Sequence, residues 1–212
     1  MKALRSLRSG GFVESVSRKD AKTRKVAKGA KSEKEKMQDK IFEAFLKRQY
    51  EEGMALAGSS DLLELYPMSG DPPDRYVAQF RCKGLMRSQN GEVVEADHFE
   101  VGIWFPSDYL RRAEPFQVLT WLGPFDVFHP NISDKAPFIC VGKLKPNTPL
   151  TDILYQCFEI ITYNKVTMRE DDALNTDACV WARENQHKFP IDRRPLKRRA
   201  LDLQIEQVEK VG

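Results

Sequence analysis

Histidine is scarce in this chain, at three residues in 212, and cysteine is hardly commoner at four. The cysteines (Cys82, Cys140, Cys157, Cys179) lie far apart, form no CxxC pair and have no histidine at metal-ligand spacing. Neither a disulfide framework nor a zinc site is expected, no metal or cofactor is implied, and the simplest compartment is a reducing, cytoplasmic one. No apolar run approaches the ~18 residues a membrane-spanning helix needs. The basic N-terminus lacks the apolar core of a secretory signal. No aromatic residue interleaves the charges between Arg18 and Lys36, so the stacking platforms of a nucleic-acid binder are missing there. Neither a membrane nor a nucleic-acid partner is expected.

The charge that is present is unevenly placed. Residues 1–36 carry 12 Lys and Arg against four acids, whereas the remainder holds 22 basic and 27 acidic residues. A basic extension is thus joined to a mildly acidic body. Residues 1–32 read as a disordered extension, rich in Ser, Lys, Gly and Ala. The Arg- and Ser-containing start is also compatible with an organelle transit peptide.

From Ser32 onward Met37, Ile41, Ala44 and Phe45 recur at helical spacing, which predicts a helix over 33–56 that ends near Gly53 and Gly58. Four strands are then expected: Asp61–Tyr66, Tyr76 to Cys82, Phe99 to Phe105, and Phe116 to Thr120, the last closing at Gly123-Pro124. Ser88-Gln89-Asn90-Gly91 supplies hairpin chemistry. Short connections favour an antiparallel meander. Thr148 is placed to cap a helix with Pro149 at its first position. Leu150, Ile153, Leu154, Cys157, Phe158 and Ile161 follow at i, +3, +4, +7, +8 and +11, the cleanest amphipathic pattern in the chain. Asn175 or Thr176 caps another helix running to about Lys188, and Leu196–Val208 reads as a last amphipathic helix. The fold class is α+β, with domains at 1–32 (extension), 33–190 (body) and 191–212 (basic segment and helix).

Cys82 and Cys157 fall on buried faces and Cys179 beside one, so all three read as packing residues. Cys140 stands instead in an irregular stretch, nine residues after a rigid His129-Pro130-Asn131 turn. A thiolate is the strongest nucleophile among the side chains, and an asparagine amide can donate to a developing oxyanion. The two could face one acyl carbon.

These residues, taken together, resemble the ubiquitin-conjugating enzymes. The motifs occur in the family's order: Leu46-Lys47-Arg48 on the first helix, Phe105-Pro106-Ser107-Asp108-Tyr109, Phe128-His129-Pro130-Asn131-Ile132, Ile139-Cys140, Thr148-Pro149-Leu150-Thr151, and Asp171-Asp172-Ala173-Leu174-Asn175. The similarity covers about residues 35–190 and implies a UBC-like fold: N-terminal helix, four-stranded meander, nucleophile loop, C-terminal helices. It implies that Cys140 receives a ubiquitin-like modifier as a thioester from an ATP-dependent activating enzyme and passes it to a protein or amine acceptor. Asn131 would stabilise the oxyanion directly or by fixing the loop. His129 and Pro130 would build the turn, Asp172 (Asp171 as runner-up) would orient the incoming lysine, and Lys47 and Arg48 would bind the activating enzyme.

The departures mark a divergent member. Leu110–Pro115 replaces the family's proline-rich, ligase-binding segment and is longer, so use of a ligase is open. The tryptophan after the cysteine is absent, and Ala173 replaces a proline. Bacterial operons for ubiquitin-like conjugation encode divergent carriers of this kind. Two other functions are weighed: an inactive binding module of the same fold, and a Cys-His hydrolase using His98 or His187.

Overall fold

The computed structural model describes residues 18–68 and 70–198. The described residues divide into two units between Ile41 and Phe42, and the first element, helix α1, is Arg18–Gly58. It starts well before the expected position 33, within the stretch read as disordered. Periodicity was the wrong guide there, because Lys, Arg and Ala favour the helix without an apolar stripe. Met37, Ile41 and Ala44 are exposed; the buried stripe is Phe45, Leu46, Gln49, Gly53 and Leu56. Gly53 does not end the helix. A Cβ there would lie 2.7 Å from Leu150 Cδ2 and 3.0 Å from Leu65 Cδ2, so glycine marks a close approach of backbone to core.

Among the described residues six strands follow: β1 (Leu63–Pro67), β2 (Arg75–Phe80), β3 (Gly84–Arg87), β4 (Val93–Ala96), β5 (Phe99–Trp104) and β6 (Leu119–Gly123). The main sheet is an antiparallel meander in the order β1-β2-β5-β6, and β3-β4 is a separate hairpin. Its register aligns Leu65, Ala78, Val101 and Trp121 in one buried row across all four strands. The hairpin turn at Ser88–Gly91 is where expected, although its four-residue arms are too short to signal strands by alternation. Phe116 does not start the last strand. Pro115–Val118 is one helical turn, α2, with proline near its start, and Phe116 is exposed.

Helix α3 (Leu150–Ile161) buries all six residues of its predicted stripe in the core, its leucines, isoleucines and phenylalanine each contributing about 1.5–3 kcal/mol by leaving water. Its N-terminus is capped differently from expectation. Pro149 is the N-cap, the Thr148 hydroxyl donates back to the Lys145 carbonyl, and buried Gln49 of α1 accepts from Leu150 N–H at 2.7 Å. A cap delivered from 101 residues away leaves no local signal. Helix α4 (Thr176–Glu184) is capped by Asn175, whose Oδ1 accepts from Ala178 N–H, and it stops at Asn185 before a 3-10 turn at Gln186–Lys188. This is the α+β arrangement the resemblance implied.

Residues 191–198 pack on the body, with Leu196 in the core. The buried Asp192 carboxylate accepts from Lys83 N–H and from the Arg194 guanidinium. The helix expected at Leu196–Val208 lies almost wholly outside the described residues, and Leu196–Arg198 are not helical. Among the described residues no helix is long and apolar enough to cross a membrane.

Candidate active site

The His129-Pro130-Asn131 turn closes on itself: His129 Nδ1 accepts from Asn131 N–H at 3.0 Å, and the His129 carbonyl from Ile132 N–H at 3.1 Å. The next ten residues fold back. Ser133 N–H donates to the Phe138 carbonyl, Ile132 bridges Ile139, and Cys140 N–H donates to the Asn131 carbonyl at 2.8 Å. This short ladder sets the cysteine opposite the asparagine. Of the four cysteines only Cys140 is half-exposed; Cys82, Cys157 and Cys179 are buried. Burial pushes the Cys157 thiol up to about 12 and raises those of Cys82 and Cys179, which disfavours their thiolate forms.

The Asn131 side chain is fully engaged. Its Nδ2 donates to the Cys140 carbonyl (3.2 Å) and to Thr167 Oγ1 (2.9 Å), while Oδ1 accepts from Thr167 N–H (2.9 Å). With both amide hydrogens committed, no N–H of this side chain is left over.

His129 is buried, and its ring packs edge-on at 4.3 Å against Tyr163, whose hydroxyl donates to the Phe128 carbonyl. Tyr163 takes a left-handed conformation (φ 60°) just past α3, rare for a bulky residue, and that conformation is over-determined by these contacts. His129 Nδ1 is an acceptor, so Nε2 carries the proton, and Nε2 is buried without a partner among the described residues. Burial drives the imidazole pKa down to about 3, which keeps it neutral and unsuited to proton transfer with solvent.

The acidic loop is tied to the same turn, since the Pro130 carbonyl accepts from Leu174 N–H (2.8 Å) and Asn175 N–H (3.3 Å). Its acids are occupied. Arg169 forms a two-pronged pair with Asp171, which lowers the Asp171 pKa, and Arg169 Nε lies 3.5 Å from Asp172. All three side chains are exposed. Lys47 and Arg48 are exposed on α1, and among the described residues no hydrogen bond or ion pair joins them to the surroundings of Cys140. Thr167, Tyr163, Arg169 and Lys165 are the site residues the sequence did not flag. They sit in aperiodic loop between α3 and α4, where only contact reveals them. Among the described residues no group of three or more His, Cys, Asp or Glu is arranged for a metal ion.

An α+β domain that presents one accessible thiol beside a buried asparagine turn is the class this site defines. No family model matches the chain, and no curated protein does. Among solved structures it is similar to a Plasmodium yoelii protein assigned to the ubiquitin conjugating enzymes, at 17% identity and TM-score 0.46 over 69% of this chain and 88% of that one. It is also similar to the E2 domain of a Toxoplasma gondii ubiquitin conjugating enzyme, at 17% identity and TM-score 0.42 over 69% and 90%.

Proposed function

We propose that this protein is an acyl carrier of the ubiquitin-conjugating type. Cys140 attacks the thioester that links a ubiquitin-like modifier to its activating enzyme. A new C–S bond forms, the activating enzyme's thiolate leaves, and the modifier is held on Cys140. An amine, usually a lysine, then attacks the same carbonyl and releases the thiol.

One observation carries this reading: the single accessible thiol is clamped by its own N–H and C=O to an asparagine in a buried turn. A fixed nucleophile with an open approach is what acyl transfer to a large partner requires. Asn131 and Thr167 hold the loop rigid through both tetrahedral intermediates. Asp172 receives the acceptor ammonium once Arg169 moves aside, and Lys47 and Arg48 offer exposed cations to the activating enzyme.

The test mixes the protein with a candidate modifier, its activating enzyme and ATP. Wild type is expected to give an adduct cleaved by reductant, Cys140→Ser an oxyester that resists it, and Cys140→Ala nothing. No adduct on wild type with a cognate pair, or an adduct on Cys140→Ala, removes the reading.

A further inference from the structure

The chain around Cys140 is rich in unpaired positive charge. Segment 133–147 holds three lysines (Lys135, Lys143, Lys145) and one acid, Asp134, and all three lysines are exposed. A fourth, Lys165, reaches across from the loop after α3 and donates from Nζ to the Val141 carbonyl at 2.6 Å. Gly142 (φ 91°) has that Nζ only 3.5 Å from where a Cβ would stand, so the ammonium rests along the backbone leaving the nucleophile.

Chain length confines the others. Lys143 and Lys145 are three and five residues past Cys140, hence within about 10 and 17 Å. Lys135 lies in the turn closed by the Ser133–Phe138 hydrogen bond. Among the described residues none of the four pairs with a carboxylate. The acids of the facing loop are already engaged, Asp171 and Asp172 by Arg169 and Glu170 by Arg183. Four lysines and two arginines are thus set against Asp134, Glu170, Asp171 and Asp172, and an approaching chain meets a net positive field near the thiol.

We infer that the acyl group delivered to Cys140 is the C-terminus of an acidic peptide tail, one whose residues just before the terminal glycines carry Asp or Glu rather than Lys or Arg. This rests on the carrier reading and adds the chemistry of the modifier's tail to it.

The test uses the full chain and synthetic peptide thioesters of a neutral thiol, N-acetylcysteamine. The peptides are equal in length, end in Gly-Gly, and carry Glu, Gln or Lys before the glycines. The Cys140 thiolate attacks the acyl carbon, the bond to the small thiol breaks, and that thiolate takes up a proton from solvent; no oxidant or cofactor enters. Intact mass reads the adduct.

At low salt the Glu peptide is expected to load about 3–10-fold faster than the Lys peptide, with the advantage shrinking as salt rises. The double reversal Lys143→Glu, Lys145→Glu inverts the order of the Glu and Lys peptides, each rate read relative to the Gln peptide on the same variant. Equal rates, faster loading of the Lys peptide, or an order that survives the reversal overturns the inference while leaving the carrier reading in place. Absence of any Cys140 adduct with all three peptides sinks both. Oligonucleotide binding lost on the reversal, with no preference among the peptides, assigns the lysines to nucleic acid and also overturns it.

Discussion

Asn131 and Thr167 clasp each other through two hydrogen bonds, amide Nδ2 to hydroxyl and main-chain N–H to amide Oδ1, both 2.9 Å. Removing the hydroxyl with Thr167→Val leaves one amide N–H without its acceptor, at a cost of about 1–2 kcal/mol. Asn131→Ala frees the Cys140 carbonyl as well and costs more. Chemical denaturation of the variants checks the order, with Thr167→Ser expected to match wild type.

Arg169 holds Asp171 and Asp172 on an exposed surface, where such pairs add little to stability. Arg169→Ala should therefore leave the melting temperature nearly unchanged. On the carrier reading it should speed discharge of the thioester onto free lysine several-fold, because Asp172 no longer has to exchange partners. Asp172→Asn should slow the same discharge, and single-turnover chase assays separate the two.

His129 makes stability depend on pH in a known direction. The unfolded imidazole takes up a proton near pH 6.5, and the buried one only near 3. The unfolded state binds more protons between those values, so stability falls as pH drops through that window, by about 1.4 kcal/mol per unit for this group. Urea denaturation at pH 7, 6 and 5 should show that slope, and His129→Asn should lack it.

Gly53 lies inside a helix, where replacing glycine by alanine ordinarily adds about 0.5–1 kcal/mol. Here the new methyl would overlap Leu150, with 2.7 Å between carbons. Gly53→Ala is expected to lose about 1–3 kcal/mol instead. Thermal melting decides the sign.

The segment 191–198 anchors itself through Asp192 and Leu196. Leu196→Ala should cost about 2–5 kcal/mol as a core truncation. The guanidinium of Arg194 holds the Asp192 carboxyl below the usual carboxylate range, so this pair stabilises the fold above that range and the contribution fades as pH falls through the lowered value. Arg194→Gln should raise the Asp192 pKa, measurable by carboxyl NMR.

Elements whose information is local were legible in the chain. The α3 stripe, a helix capped at Asn175 or Thr176 and the meander order follow from periodicity and turn chemistry, because those act over a few residues. The one half-exposed thiol was legible too, since Cys82 and Cys157 fall on buried stripes and Cys140 does not. The sequence misled at Gly53, at Phe116 and over residues 18–32, where a local rule met a packing contact, a proline or an unpatterned helix former.

What the chain alone determined is which residues are available: one unstriped cysteine, a rigid turn before it and acids after it. Tertiary structure decided what they do to one another. It committed both Asn131 hydrogens to Thr167 and Cys140, paired Asp171 and Asp172 with Arg169, laid Lys165 on the Val141 carbonyl, and brought Gln49 to the start of α3. Each of these pairings joins loops or elements whose meeting is set by how the helices pack on the sheet, and no local preference encodes that.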